Sequence, residues 1–259
     1  MADQLSLELP AELPALPTGL RPMEARPLAE PFDSPEHVFQ PLWGGCRVLV
    51  SVARRADESP PADHVLRIVG SDGVDRSPRL PELATLADQV DARSAVLDGE
   101  LVVVDGSGRL DPDALEERLA GESRRPALVL AFDLLHLDGR SLLGLPLHRR
   151  RDLLRRIVRP GGALLVLPGV DNDGRALHAA VTAQGLAGVL ARLRSSPYLP
   201  GVRSRLWRFV PAGRRPAPAD AVSPDADLDR DRPGAERPGA ERPSTPILAV
   251  ISRLPLEET

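Results

Sequence analysis

The chain has 259 residues, a formal net charge of −4 and a pI near 5.8, so no overall basic field draws it to nucleic acid without sequence preference. All 33 of its Lys+Arg residues are arginine, and its one cysteine, Cys46, excludes an intramolecular disulfide and a multi-cysteine metal site. Arginine stays protonated at any working pH, so no side-chain amine serves as a nucleophile anywhere in the sequence.

In chain order, residues 1–21 form a Leu/Pro-rich leader expected to be extended. Arg47–Ala53 and His64–Gly70 read as strands, the second running into an Asp72-Gly73 turn. Pro81–Val90 opens on proline and carries Leu83, Leu86 and Val90 on one face, which predicts a helix. Ala95–Asp105 is an apolar run interrupted by Asp98-Gly99-Glu100. Asp111–Leu119 predicts a short helix and Ala127–Leu135 a buried strand. Leu147–Val158 predicts an amphipathic helix with Leu153, Leu154 and Ile157 inside and Arg149, Arg150, Arg151, Arg155 and Arg156 largely outside. A helix over Gly174–Gln184 and strands near Gly188–Leu193 and Leu206–Val210 complete an α+β pattern with antiparallel sheets flanked by helices.

These segments set the expected organisation: a leader over 1–21, one domain over 22–211, a linker over 212–246 and a short apolar tail over 247–259. The linker contains Arg232-Pro-Gly-Ala-Glu followed at once by Arg237-Pro-Gly-Ala-Glu, a low-complexity composition expected to be disordered. The final Ile247–Leu256 is apolar enough to dock as a strand, with a free tail as the equal alternative. No apolar run reaches membrane-spanning length and no secretory signal opens the chain, so a monomeric cytoplasmic protein is expected. The five histidines (37, 64, 136, 148, 178) are scattered, none with a second ligand at metal spacing, and Asp171-Asn-Asp-Gly174 reads as a turn and not a calcium loop.

Several motifs, in order, carry a resemblance. They are Arg21-Pro-Met-Glu-Ala, Pro31-Phe-Asp-Ser-Pro35, Phe39-Gln-Pro-Leu-Trp-Gly-Gly-Cys-Arg47 and Val96-Leu-Asp-Gly-Glu-Leu-Val102. Phe132-Asp-Leu-Leu-His-Leu-Asp-Gly-Arg140, Leu145-Pro-Leu-His-Arg-Arg-Arg151 and Ser195-Ser-Pro-Tyr-Leu-Pro-Gly-Val-Arg-Ser-Arg205 follow. Over residues 21–210 the chain resembles the adenylation (nucleotidyltransferase) domain of bacterial ATP-dependent DNA ligases, especially those of end joining. The resemblance implies that family's fold, an origin in bacteria and a setting in DNA repair and recombination.

It also exposes departures. Leu42 stands where the family carries its AMP-accepting lysine, and Gly44 where it carries Asp. Ser71 replaces an arginine that faces phosphate, Ala187 a glutamate associated with metal, and Phe209 and Pro211 a late lysine pair. The oligonucleotide-binding domain that follows in the family has no counterpart in 212–259. Adenylyl transfer needs a nucleophile, cations on the phosphate oxygens and a carboxylate-held Mg²⁺; these replacements remove all three. Replacement of lysine by arginine under codon bias accounts for Arg192 but not for Leu, Phe and Pro. The resemblance therefore implies a catalytically degenerate homologue, a pseudoenzyme acting as a binding or regulatory module, with DNA or DNA-repair proteins as partners.

The nucleoside side keeps more. By the resemblance, Arg47 and Glu100 face the ribose hydroxyls, Phe132 stacks on adenine and Gln40 receives the adenine amino group. That leaves ATP or AMP as a non-covalent ligand and a nucleotide-binding protein or enzyme as the alternative reading; an active ligase is the least favoured. A purely structural reading of each residue stands beside it: Phe132 as core, Glu100 as a hairpin cap, Arg47 paired with a carboxylate such as Glu100.

Overall fold

The structure, a computed structural model, describes residues 16–54, 64–106 and 110–213. The expected linker from 214 on, the 247–256 segment and most of the 1–21 leader lie outside the described residues.

The elements in chain order are β1 (Glu24–Pro27), β2 (Ser34–Leu42), β3 (Cys46–Arg54), β4 (His64–Gly70), two 3-10 helices (Ser77–Arg79, Pro81–Gln89) and β5 (Ser94–Val103). After these come α1 (Pro112–Ala120), β6 (Ala127–Leu137), β7 (Arg140–Ser141), α2 (Leu147–Ile157), β8 (Leu164–Val166) and β9 (Val170–Asn172). α3 (Gly174–Ala183), β10 (Gly188–Leu193) and β11 (Arg203–Pro211) end the fold. They build two sheets. One has five strands in the order β1-β11-β10-β2-β9; the other has six, in the order β4-β3-β5-β6-β7 with β8 beside β6. Pairing is antiparallel except for β1 with β11 and β6 with β8. The α+β expectation holds.

The six-stranded sheet owes its stability to two covered faces. Every residue of β5 is buried, and Val48, Val50 and Val52 of β3 pack with Leu83, Leu86, Leu97, Leu134 and Leu154 in the main core. The alternate residues of β3, Arg47 and Leu49, face the five-stranded sheet, as their pairing with Glu100 and Asp98 of β5 requires. On the far side of the five-stranded sheet, Phe39, Val189 and Ala191 pack under Leu177 and Val181 of α3. The faces that remain, one from each sheet, bound a cleft.

Local chemistry explains most elements. Asp111 caps α1 by accepting the Ala114 amide, Pro112 opens it, and Gly121 ends it in the left-handed region (φ 88°). Three expectations need correction. Pro81–Gln89 is a 3-10 run rather than an α-helix, though Leu83 and Leu86 point inward as expected. β2 is a strand that the sequence pattern did not name, and it holds Pro35 and Pro41. The strand survives because Pro41 lies beyond the last β9 pair, Phe39 with Val170, so its missing N–H breaks no ladder bond on that side. On α2, Arg150 and Arg151 are buried, not solvated.

Arg150 explains itself. Its Nε and Nη2 donate to the two carboxylate oxygens of Asp133, both at 2.8 Å, with both side chains fully buried. Its Nη1 donates to the carbonyl oxygens of Leu145 and Ser196, tying α2 to β6 and to the turn after β10. A paired, fully hydrogen-bonded buried charge is tolerated; a widowed one is not. Arg150→Met is therefore expected to cost about 3–5 kcal/mol in urea denaturation. The double variant Arg150→Met/Asp133→Leu should recover most of that loss; a double variant as unstable as the single one would sink this account.

Candidate functional site: a relined interstrand cleft

Residues opposite one another in an antiparallel ladder share a face. The register therefore groups Val38 with Arg192 and Trp207, Gln40 with Leu190 and Phe209, and Leu42 with Gly188 and Pro211 on the cleft side. Four of the positions singled out in the sequence (Gln40, Leu42, Phe209 and Pro211) are brought together by backbone pairing alone. The facing wall comes from β3, β5 and β6: Arg47, Asp98, Glu100 and Phe132.

Between the walls lies a cavity of about 400 Å³. Leu42, Leu190, Trp207, Phe209 and Met23 supply its apolar lining, and Arg47, Ser71, Arg21 and Glu24 its polar one. Glu24 is engaged at the rim, accepting from Nε of Arg203 at 2.7 Å. The lead-in 21–25 forms one side of the cavity because β1 pairs with β11 and because the Tyr198 hydroxyl accepts the Met23 amide at 2.9 Å.

Arg47 does not pair with Glu100. Its Nε and Nη2 donate to Oδ1 and Oδ2 of Asp98, each at 2.6 Å, and the Tyr198 hydroxyl donates to Oδ2 at 2.6 Å. Burial opposes the charge on Arg47, but Asp98 outweighs it and holds the guanidinium above its ordinary range. The Tyr198 phenol is pushed up by burial and by the adjacent Asp98 carboxylate. Glu100 takes a different part: its carboxylate accepts the Gly45 amide at 2.6 Å and the Trp43 amide at 3.3 Å. Burial nonetheless pushes its carboxyl above the usual range. Gly45 must be glycine here, since a Cβ would meet the Leu101 carbonyl oxygen at 2.3 Å. Gly44 sits at φ 86°, a conformation glycine adopts without strain, so this departure from the resemblance has a backbone reason independent of chemistry.

Phe132 is almost fully buried, with the Arg192 guanidinium carbon 4.1 Å and that of Arg47 4.5 Å from its ring centroid. Gln40, also buried, turns its amide N–H groups to the carbonyl oxygens of Leu167 and Pro168, and its Oε1 has no partner. Of the four residues assigned to the nucleoside side, Arg47 alone lines the cavity; Gln40, Glu100 and Phe132 are engaged within the protein. Among the described residues no group of three or more His, Cys, Asp or Glu could hold a metal ion, and Ala187 offers no oxygen ligand. The donor set does not fit Mg²⁺.

The sequence names Arg192 only as an arginine in place of lysine and Asp98 only as part of a motif; neither they nor Trp207 and Tyr198 were expected in the site. Arg192 is 1% exposed, lies over Trp207 at 5.0 Å as well as over Phe132, and has a long hydrogen bond to the Phe132 carbonyl at 3.5 Å. Its Nε is buried without a partner, and among the described residues no ion pair reaches it. Burial, then repulsion from Arg47 and Arg151, pulls its pKa down to about 9. Besides the lysine position that the resemblance assigns to it, the alternation of β10 signals it, placing an arginine at an inward position of a buried strand.

Residues 63–208, more than half of the chain, match the family described as ATP dependent DNA ligase domain. The chain belongs to this family. It is 36% identical over 172 residues to the multifunctional non-homologous end joining protein LigD of Mycobacterium bovis, covering 65% of this chain and 21% of that protein. It is 34% identical over 203 residues to a probable DNA ligase of Rhodococcus opacus, covering 74% of this chain and 38% of that one. Among solved structures, the ligase domain of M. tuberculosis LigD superposes with a TM-score of 0.60 at 31% identity. A mycobacterial DNA ligase D complexed with ATP and MES gives 0.58 at 32% identity. Each of these covers about three quarters of this chain (73% and 74%) and 60% of the other. The chain thus spans about a fifth to two fifths of the curated relatives it matches. No helix among its described residues is long and apolar enough to cross a membrane.

Within this ligase-domain fold, Arg150 and Arg192 make a controlled comparison: two buried guanidiniums, one paired and one not. Because the Arg192 value of about 9 lies below the ordinary range, the charged form weakens the fold below pH 9, and that penalty fades as pH rises through 9. Arg192→Met is expected to be at least as stable as the parent at neutral pH, by on the order of 1 kcal/mol, with the gap closing in alkaline buffer. A loss comparable to that of Arg150→Met, in denaturation at both pH values, would refute the assignment.

Proposed function

We propose that this chain is a catalytically silent member of the ligase-domain family, serving as a binding or regulatory module in DNA repair or recombination. One observation carries the reading. The positions where the resemblance places the nucleophilic lysine and the late lysine pair are Leu42, Phe209 and Pro211, and the strand register puts all three on the same cleft face. Leu42 has no lone pair to attack an α-phosphate, and Phe209 and Pro211 supply no charge to a developing oxyanion. Ser71 stands on the cavity wall where the resemblance places a phosphate-facing arginine. The end-joining proteins among the relatives, and an ATP complex among the solved structures, support a repair setting and a nucleotide-derived cleft.

A second reading, non-covalent adenine-nucleotide binding, is favoured by the unpartnered Oε1 of Gln40, a buried acceptor of the kind an exocyclic amine would satisfy. It is opposed by the two guanidiniums over Phe132. DNA and other repair proteins remain the proposed partners; Arg149 and Arg156, exposed on α2, are the basic groups that would reach a phosphate backbone.

Intact-mass spectrometry after incubation with ATP and Mg²⁺ tests the main reading. No AMP adduct is expected on the parent, and none on Leu42→Lys, since one nucleophile restores neither the metal carboxylate nor the phosphate cations. A covalent adduct on the parent chain would overturn the proposal. Thermal shift with AMP and adenosine decides the second reading, because a ligand of the native state raises the melting temperature.

A further inference from the structure

We infer that the cleft has been refitted for a ligand with an apolar body and a single anionic end, such as an aryl- or alkyl-carboxylate, in place of a polyanionic nucleotide. The inference rests on the catalytically silent reading above and names the chemistry that the altered cleft would accept.

The apolar half of the argument is the lining. Leu42, Leu190, Phe209, Trp207 and Met23 form a continuous wall of a cavity of about 400 Å³, large enough for a compact organic molecule. Leu42 and Phe209 are both partly exposed, so apolar surface is presented to the space. A triphosphate in this position would lose much of its hydration against hydrocarbon, with too few cations on the lining to answer its several charges, which is costly. An aliphatic or aromatic body gains there instead.

The anionic half comes from the charge behind that wall. In and beside the layer between the sheets, Arg47, Arg150, Arg151, Arg192 and Arg194 face four carboxylates, Asp98, Asp133, Glu100 and Asp171. Three pairs cancel: Arg47 with Asp98, Arg150 with Asp133 and Arg194 with Asp171. Arg151 donates to the carbonyl oxygens of Phe132 and Leu167, and Arg192 to that of Phe132, so among the described residues neither spends its hydrogen bonds on a carboxylate. Glu100 is held by backbone amides. An excess of positive charge is therefore fixed in a region of low dielectric, where its field is poorly screened. It abuts the cavity through Trp207, whose ring lies 5.0 Å from Arg192 and 5.8 Å from Arg47. Arg47 itself lines the cavity with 22% of its side chain exposed, and Arg21 stands at the exposed rim. The carboxylate at the mouth, Glu24, is bound by Arg203. Burying an unpaired guanidinium weakens the fold, and an anion taken up beside Arg47 would offset that cost. The same arrangement fits one negative charge and not several, because a single excess cation stands behind an otherwise apolar wall.

Isothermal titration of the full chain with 4-phenylbutyrate, with 4-phenylbutanol of the same body, and with ATP tests this. Phenylbutyrate is expected to bind about tenfold or more tighter than the alcohol, the ratio that one charged contact supplies. ATP should bind more weakly than either. Phe209→Asp, on the partly exposed wall, should abolish phenylbutyrate binding. Arg192→Met should weaken the carboxylate towards the level of the alcohol while leaving the alcohol unchanged; circular dichroism confirms that each variant is folded. Equal binding of acid and alcohol, preference for ATP, no binding of any probe, or indifference to both variants would each overturn the inference. An AMP adduct in the mass measurement would instead overturn the reading beneath it, so the two failures are separable.

Discussion

The Asp98 carboxylate is the point on which the cleft depends. One oxygen of the group accepts Nε of Arg47, and the other accepts both Nη2 of Arg47 and the Tyr198 hydroxyl. Tyr198 in turn accepts the Met23 amide. A single buried anion thus fixes the rotamer of the guanidinium on the six-stranded sheet, the turn that leads from β10 to β11, and the lead-in that closes the cavity. Charge-assisted hydrogen bonds of this length are strong, and in a buried layer they are not exchanged for water. Without Asp98, Arg47 would be buried beside Arg192 with no hydrogen-bonded counter-ion, since Glu100, the other carboxylate near it, is spent on backbone amides.

That constraint also explains why the nucleoside residues stand as they do. Arg47, committed to Asp98, lies over Phe132, and Arg192 approaches the same ring from β10. Cation–π attraction in a desolvated setting contributes roughly 2 kcal/mol per contact and makes the second cation tolerable there. Glu100, released from any role as partner to Arg47, caps the backbone turn at Trp43–Gly45. Phe132 has become a platform for guanidinium groups, and the polar wall and the apolar wall of the cleft have come to serve different purposes.

Much of the architecture was legible from local pattern. The valine alternation of β3, the apolar runs of β5 and β6, and the Asp-Pro start and Gly stop of α1 each name their own element, because the determinants lie within a few residues. The cleft positions were legible only through motif order: Leu42 and Phe209 are unremarkable residues until strand pairing sets them side by side. The burial of Arg150 and Arg151 was not legible. Five arginines in one helix suggest a solvated face, and nothing nearby in sequence announces that Asp133, on another element, waits for one of them. Arg192 is hidden for the complementary reason: its partners are rings and carbonyls, which leave no charge pattern to read. The Arg47–Asp98 pairing, in preference to Glu100 on the same face, turns on the rotamers and on the Trp43 and Gly45 amides that claim Glu100, and no spacing rule contains that.

The hydrogen bond from Met23 to Tyr198 joins residues 175 apart in the chain. The six-stranded sheet draws its strands from residues up to Val166, whereas the five-stranded sheet needs both β1 near the start and β11, which ends at Pro211. During synthesis, one wall of the cleft can therefore assemble while the other still lacks the strand on which its first segment will lie. Pairing over such a span must meet its loop-closure entropy before any contact rewards it, which slows folding. The cavity, with its apolar lining, is complete only once β11 is in place, because until then Leu42 and the lead-in have no Phe209 to pack against.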